Sequence, residues 1–369
     1  MHRLLGGAAL SALCAGSALA GGVERSSQST AILFEQGTHA ELTFGVVAPD
    51  VSGKQVGDIG FLGVQDGSST GNVAGSYLSA SAGFKTSLSD EIDVALIIDS
   101  PIGADVDYSE PLYLYGVGAG SQASIDSTAL TALVRYKLPS NFSVFGGLRN
   151  QTTSGEVSLF TGYTMETTTE SDLGYVVGAA WEKPEIAARV ALTYNSSITH
   201  EFTATEGAST TTFSTENPQS VNLEFQTGVA ADTLLFGSVR WVDWTNFDIS
   251  PDGYAALTGG DSLVSYSEDS ITYNLGLGRR FNETWSGALT LGYEEAQGGF
   301  AANLGPTDGY TSIGMAVSYT EGNMTITGGA RYIWIGDAET ESPLIPGATQ
   351  GDFTDNNGVA VGVKMAYKF

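Results

Sequence analysis

The sequence is nearly without cysteine: its 369 residues include one, Cys14. Cys14 falls inside an apolar N-terminal run, and the Leu13 before it makes a poor lipoprotein cleavage site. With that run removed, no disulfide framework or thiol chemistry is left. Basic residues are also scarce, 15 Lys+Arg against 41 Asp+Glu, for a formal charge of −26 and a pI near 4.1. That balance excludes a nucleic-acid partner, which requires a basic footprint. Long hydrophobic runs are missing beyond residue 20, where apolar stretches stop at lengths like 175–181. A membrane helix needs about 18 or more such residues, so none is expected. Histidine is rare as well. His39 and His200 are the two beyond the N-terminal run, and neither sits in a Gly-x-Ser-x-Gly, His-Glu-x-x-His or phosphate-loop context. Both are expected at the rims of the fold. Catalysis, a resident metal and a cofactor are not expected.

What is present points to a folded, exported β protein. Hydrophobic residues make up 42% and aromatics 10%, enough apolar surface to offset the entropy of ordering. His2 and Arg3 precede an apolar run over 4–19, and Ala18 and Ala20 supply the small residues signal peptidase requires, so a secretory leader over 1–20 is expected. Beyond it, period-2 alternation recurs. Val359, Val361, Val363, Met365, Tyr367 and Phe369 form one face of the last strand, and Ala360, Gly362, Lys364, Ala366 and Lys368 the other.

Fourteen strands are predicted, at 39–49, 76–88, 91–101, 122–138, 141–158, 170–182, 185–202, 217–229, 232–249, 265–281, 284–296, 309–320, 323–339 and 355–369. Short turns such as Pro139-Ser140 and Asn282-Glu283 alternate with long polar loops at 50–75, 102–121, 203–216, 250–264 and 340–354. Soluble sandwiches have no reason to gather their long loops at one end. An even-stranded transmembrane barrel does, with short periplasmic turns and long extracellular loops. The expected fold class is therefore all-β, a 14-stranded antiparallel outer-membrane β-barrel. Aromatics give a second indication. Tyr136, Phe142, Trp181, Phe281, Trp285, Tyr319 and Phe369 lie near short turns or the C-terminus, and Tyr194, Trp241, Tyr293, Tyr332 and Trp334 lie some nine residues higher on the same face. At ~3.3 Å per residue and a tilt near 40° that spacing is roughly 23 Å, close to the apolar band between two aromatic girdles.

If the apolar face meets lipid, the other lines the lumen. Removing Arg3 with the leader leaves 14 basic residues, and ten of them fall on the inner face: Lys85, Arg135, Lys137, Arg149, Arg189, Arg240, Arg280, Arg331, Lys364 and Lys368. Arg149, Arg240 and Arg331 each follow a short turn by eight residues, which places them at similar height. Two readings stand. They form a cationic zone that binds an anionic head group, or they pair with inward acids such as Glu182, Glu224 and Glu294 and stiffen the wall. The acidic excess then belongs to the extracellular loops, facing divalent cations and lipopolysaccharide.

Residues 24–35 (ERSSQSTAILFE), 40–53 (AELTFGVVAPDVSG) and 93–104 (DVALIIDSPIGA) resemble the N-terminal region and third strand of the outer-membrane FadL/TodX family, transporters of long-chain fatty acids and hydrocarbons. The resemblance implies a barrel over 37–369 and a luminal plug, here a short arm over 21–36 with Ile32 and Phe34 as apolar anchors. It also implies a lateral gate at a third-strand break, matched by Ser100, Pro101 and Gly103. Pro101 lacks an amide hydrogen and Gly103 a side chain, so both can interrupt ladder pairing, or both simply end the strand. Leu112, Tyr113, Leu114 and Tyr115 supply a greasy extracellular capture site, or pack their loop onto itself. One departure is plain: the family's plug is longer and ends in an Asn-Pro-Ala-like step, where this chain has Ser29-Thr30-Ala31. The expected function is passive uptake of long-chain fatty acids or similar hydrophobic molecules by a monomeric channel. The alternative is a general or anion-preferring porin.

Overall fold

The structure, a computed structural model, describes residues 23–369; the leader expected over 1–20 lies outside the described residues. Fourteen strands form the wall. They are β1 (His39–Asp50), β2 (Tyr77–Ser87), β3 (Ile92–Asp99, resuming as Gly103–Tyr108), β4 (Ser121–Lys137), β5 (Phe142–Ser158), β6 (Thr164–Thr167 and Glu170–Lys183) and β7 (Ala188–Asn195 and Ile198–Glu206). They continue as β8 (Ser209–Asn217 and Ser220–Ala230), β9 (Thr233–Val242), β10 (Ser270–Arg280), β11 (Trp285–Glu294), β12 (Tyr310–Glu321), β13 (Met324–Ile335) and β14 (Asn357–Lys368). Each pairs antiparallel with the next, and β1 pairs with β14 from His39↔Lys368 to Asp50↔Asn357. The closed sheet has no free edge, so every strand's ladder groups have partners on both sides except where the wall is deliberately broken.

Alternation decides which way each side chain points. Leu78, Leu148, Leu289 and Met315 stand on the outer surface, while Thr131, Ser143, Thr193, Thr290, Ser312 and Thr327 are buried inside. Such an outside-in distribution suits lipid, not water. The lower aromatics Tyr136, Phe142, Phe281, Trp285 and Phe369 are exposed on the outer face, as are Tyr293, Tyr332 and Trp334 above; Tyr175 and Tyr273 extend the upper ring. At the short turns Asn141 and Asp232 take positive φ (63° and 57°), a conformation Asn and Asp tolerate better than most residues.

Several expected boundaries shift. The stretch 203–216, expected as a loop, is instead a β-hairpin in which Ile198↔Asn217 through Glu206↔Ser209 extend β7 and β8 outward around Gly207 (φ 58°). Its Thr-rich sequence lacks an apolar face to betray it. Strand β9 stops at Val242 rather than 249, because Asp243 accepts hydrogen bonds from Gln219, Thr245 and Asn246 and turns the chain. Beyond it the 243–269 loop carries a short helix, α1 (Asp252–Thr258). Strand β13 stops at Ile335, and Ala338–Glu341 joins a separate four-stranded sheet with Thr349–Phe353, Gly53–Gln55 and Phe300–Ala301 over the extracellular end.

The third strand also differs from expectation. It does not end at residue 101 but breaks and resumes. Against β4, Asp99↔Ala129 is followed by Gly103↔Asp126, so β3 carries one extra residue, a bulge. The Ser127 hydroxyl replaces the lost ladder, accepting from the Ile102 amide at 2.9 Å and donating to the Ile102 carbonyl at 2.5 Å. On the other side, the β2–β3 ladder runs from Ser87↔Asp93 to Ala82↔Ile98 and then stops. It touches again at the isolated bridge Ala74↔Val106. Tyr77, Leu78, Ser79, Ala80 and Ser81 have no ladder partner on β3.

Candidate functional site

The broken strand bends inward and takes a different partner. Backbone groups of the N-terminal arm complete it: the Arg25 amide donates to the Pro101 carbonyl at 2.9 Å, the Gly103 amide donates to the Val23 carbonyl at 2.8 Å, and Glu24 bridges Ile102. The Arg25 guanidinium lies over the Tyr77 ring at 3.9 Å. Gly103 leaves the space, since a Cβ there would sit 2.6 Å from Arg25 Nε.

From this contact the arm descends through the lumen. Ser26 donates to Asp99, Ser29 donates to Glu224 at 2.6 Å, and Asn222 donates to the Ser27 carbonyl at 2.8 Å. A 3-10 turn at Ala31–Phe34 then buries Ile32, Leu33 and Phe34 against Ala95, Leu133, Phe145, Val176, Ala180 and Ala191. Phe34 meets Phe145 edge-on at 5.9 Å and is flanked by the guanidiniums of Arg135 and Arg189 at 4.5 and 4.6 Å. Both anchors singled out from the sequence, Ile32 and Phe34, therefore sit inside the barrel. Leu33, fully buried, is a third.

The three arginines expected at one height are buried, each in a different setting. Arg149 donates to Thr131 (2.9 Å) and Asn195 (3.1 Å), and Arg331 to Ser312 (2.9 Å) and Asn274 (3.1 Å). Arg240 donates to Ser220, Asn222 and the carboxylate of Glu24 on the arm. Of the inward acids named from the sequence, Glu182 pairs with Arg135, Glu224 holds Ser29, and Glu294 accepts from Thr272 at 2.6 Å. A denser charge cluster lies near the short turns, where Asp93 meets Lys85 at 2.9 Å, Lys137 at 3.0 Å and Arg135 at 3.6 Å. Asp93 opens the 93–104 segment that carries the family resemblance, but nothing in the sequence marks it as a charge centre, because Lys85, Arg135 and Lys137 come from other strands.

The extracellular loop residues divide. Leu112 is exposed, whereas Tyr113, Leu114 and Tyr115 are buried in a cap with Val51, Tyr108, Ile333 and Phe353. Tyr113 stacks on Tyr108 at 5.4 Å, and Tyr115 packs against Phe160 at 5.2 Å. Burial pushes the Tyr113 hydroxyl up to about 12. These three tie their loop into a cap shared with other loops rather than onto itself, so only Leu112 of the four lies open to solvent. His200 is not at a rim: it is buried in the inner wall, 2.8 Å from Asp172.

Two cavities flank the break. The inner one, about 230 Å³, lies between the arm and the wall and is lined by Arg25, Glu41, Tyr77, Asp99, Ser100, Arg331 and Lys364 among others. It also reaches Ser79, Ala80 and Ser81, the stretch of β2 without a ladder partner on β3. The outer one, about 70 Å³, is lined by Ile102, Val157, Met165, Phe202, Phe213, Phe247, Leu263 and Val264 together with nine polar residues, among them Gln151, Thr153, His200 and Thr215. The break thus stands between them, Ser100 facing one and Ile102 the other.

No protein-family model and no curated protein sequence matches the chain. Solved structures do. A FadL homologue from Pseudomonas aeruginosa superposes with a TM-score of 0.75 at 15% identity, over 97% of this chain and 98% of that one. This is the fold of the FadL and TodX barrels. The Pseudomonas putida toluene transporter TodX gives a TM-score of 0.62 at 12% identity, covering 96% and 94% of the two chains, and the Ralstonia pickettii toluene transporter TbuX gives 0.59 at 14%, covering 91% and 90%. The FadL-type barrel is therefore matched over almost its whole length.

Proposed function

We propose that the protein is an outer-membrane channel for the passive uptake of long-chain fatty acids or related hydrophobic compounds, exported by a leader cleaved after Ala20 and seated as a monomer among outer-membrane lipid and lipopolysaccharide. The observation that carries this reading is the missing ladder between β2 and β3 at 77–81, directly beside the inner cavity. A greasy molecule gains nothing from release into the aqueous periplasm. An opening in the wall lets it pass from the lumen into the bilayer, where its apolar surface stays out of water. Ser100, Pro101 and Gly103 shape that opening, and the arm is its shutter, held by two backbone hydrogen bonds and the Arg25–Tyr77 contact. The toluene transporters among the similar structures extend the candidate cargo to small hydrocarbons.

Capture begins at the extracellular cap, with Leu112 as the exposed apolar residue and Tyr113, Leu114 and Tyr115 engaging cargo when the cap loosens. Arg149, Arg240 and Arg331 give the lumen a positive band that an anionic head group follows. Transport is downhill and no residue is assigned a catalytic step.

The test is uptake of radiolabelled oleate and of an alkane by cells with and without the gene. Reduced uptake in the deletion strain, restored by the intact gene, is the expected outcome; unchanged uptake of both overturns the proposal. A Gly103→Val variant probes the lateral route, because the added side chain collides with Arg25 and unseats the shutter. Its uptake changes, while the barrel folds normally, if cargo leaves by the break.

A further inference from the structure

The lining of the outer cavity discriminates more sharply than hydrophobicity alone, and the following rests on the channel function proposed above. Ile102, Phe202, Phe213, Phe247, Leu263 and Val264 make its apolar walls. No lysine or arginine is among its lining residues, and the one ionisable carboxylate there is Glu156. An ionised carboxylate brought into this space would lose its water, meet no lysine or arginine, find the His200 ring already engaged by Asp172 and face the like charge of Glu156, a combination that costs several kcal/mol.

One edge of the cavity is nevertheless polar. Asn217 Nδ2 donates to Gln151 Oε1 at 2.7 Å, and Gln151 Nε2 donates to Thr153 Oγ1 at 3.3 Å. Thr153 meets His200 Nε2 at 3.3 Å, and His200 Nδ1 meets Asp172 at 2.8 Å. Thr153 Oγ1 accepts from Gln151 while lying within reach of His200 Nε2, and the Asp172 carboxylate faces Nδ1. The chain is complete and each member is engaged. Thr215 lies on the same edge, is 8% exposed, and its buried Oγ1 has no hydrogen-bond partner. A buried hydroxyl left unpaired costs about 1–3 kcal/mol, so the site is unfinished in a way that a ligand oxygen would complete.

We propose that the outer cavity binds neutral aliphatic molecules carrying a single hydrogen-bonding oxygen, of the alcohol type, in preference to both carboxylates and plain hydrocarbons. The Thr215 hydroxyl pairs with that oxygen and the phenylalanines take the chain. Size points the same way. At about 70 Å³ the cavity has roughly half the volume of one that admits benzene, on the order of 150 Å³, so it takes the oxygen-bearing end of a slender chain, with the rest of the chain extending beyond it. The occupant lies against Ile102, beside the break.

The test uses the full mature chain in nanodiscs, with retention of radiolabelled 1-octanol, octane and octanoate measured at pH 7 against empty discs. Octanol is expected to bind most tightly and octanoate least. Thr215→Val keeps the side-chain shape and removes the hydroxyl. It should reduce octanol retention about fivefold, to the level of octane, and leave octane unchanged, which also certifies the fold. Octanoate retained as well as octanol overturns the proposal. So does a Thr215→Val variant in which octanol and octane keep their original ratio, the result expected if a water molecule satisfies Thr215. Either failure with cellular uptake of oleate or alkane intact leaves the channel function standing; loss of that uptake dependence would remove the channel reading itself.

Discussion

Glu24 and Arg240 lie 216 positions apart and meet inside the barrel, the Glu24 carboxylate accepting from Arg240 Nε at 2.7 Å. Ser220, Asn222 and Gln28 take the remaining guanidinium directions. One end of this pair belongs to the wall and the other to the arm. Together with the arm's backbone bonds to Pro101 and Gly103, it spans the lumen at the level of the strand break. Removing either partner leaves the other charge buried and unmatched.

The seat of the arm is therefore expected to depend on that charge. Glu24→Gln preserves shape and removes the ion pair, and planar-bilayer recordings should change from near silence to frequent openings, about tenfold more often, for a loss of about 1.4 kcal/mol in closure. Unchanged conductance would show that the 3-10 turn at Ala31–Phe34 holds the arm by itself.

The Asp93 cluster predicts a stability effect. Asp93 is 1% exposed and meets three cations. Asp93→Asn should cost about 3 kcal/mol or more, seen as a lower denaturation midpoint, because Lys85 stays buried without its counter-charge and Arg135 is left with Glu182 alone. The exposed pair Arg280–Asp232 at a short turn is the contrast. Asp232→Asn should cost about 1 kcal/mol or less.

The outward face is tested by placing charge on it. Leu289 lies midway between Trp285 and Tyr293 on β11 and is well exposed. Leu289→Arg should destabilise folding into lipid vesicles by about 2–4 kcal/mol, the cost of a cation near the bilayer midplane. A cost near zero would contradict a lipid-facing position.

Acid should loosen the 243–269 loop. The hydrogen bond from Gln219, with others from Thr245 and Asn246, holds the Asp243 carboxyl below its ordinary 3.8. The carboxylate's contribution is full above that ordinary value and is lost as pH falls through the lower folded one. Trp244, buried beside it against Phe247 and Tyr266, should report the change as altered fluorescence below about pH 4. Asp243→Asn should abolish that acid transition, with Trp244 already perturbed at neutral pH.

Much of the architecture was legible because a membrane barrel writes itself locally. Period-2 alternation, short turns against long loops and two aromatic heights each depend on neighbours a few residues apart, and they placed fourteen strands with loose ends. The boundaries that moved did so for local reasons invisible as pattern: the 203–216 hairpin has polar threonines on both faces, and β9 ends at an aspartate whose partners come from two separate segments. The site was less legible. Pro101 and Gly103 marked the break, and Ile32 and Phe34 marked the arm's anchors, but Tyr77 and Thr215 carry no signature, and Arg25 and Asp93, though inside resembling segments, carry none for the partners they meet.

The sequence by itself determined the wall: which face meets lipid, how many strands cross and where the chain can fail to pair, since these follow from side-chain alternation and from the chemistry of proline and glycine. Only the tertiary structure decided what fills the wall. Glu24 finds Arg240, Arg25 finds Tyr77 and Thr215 is left without a partner because closing the sheet brings distant strands around one lumen. Burial there turns each polar atom's pairing, or its lack, into free energy.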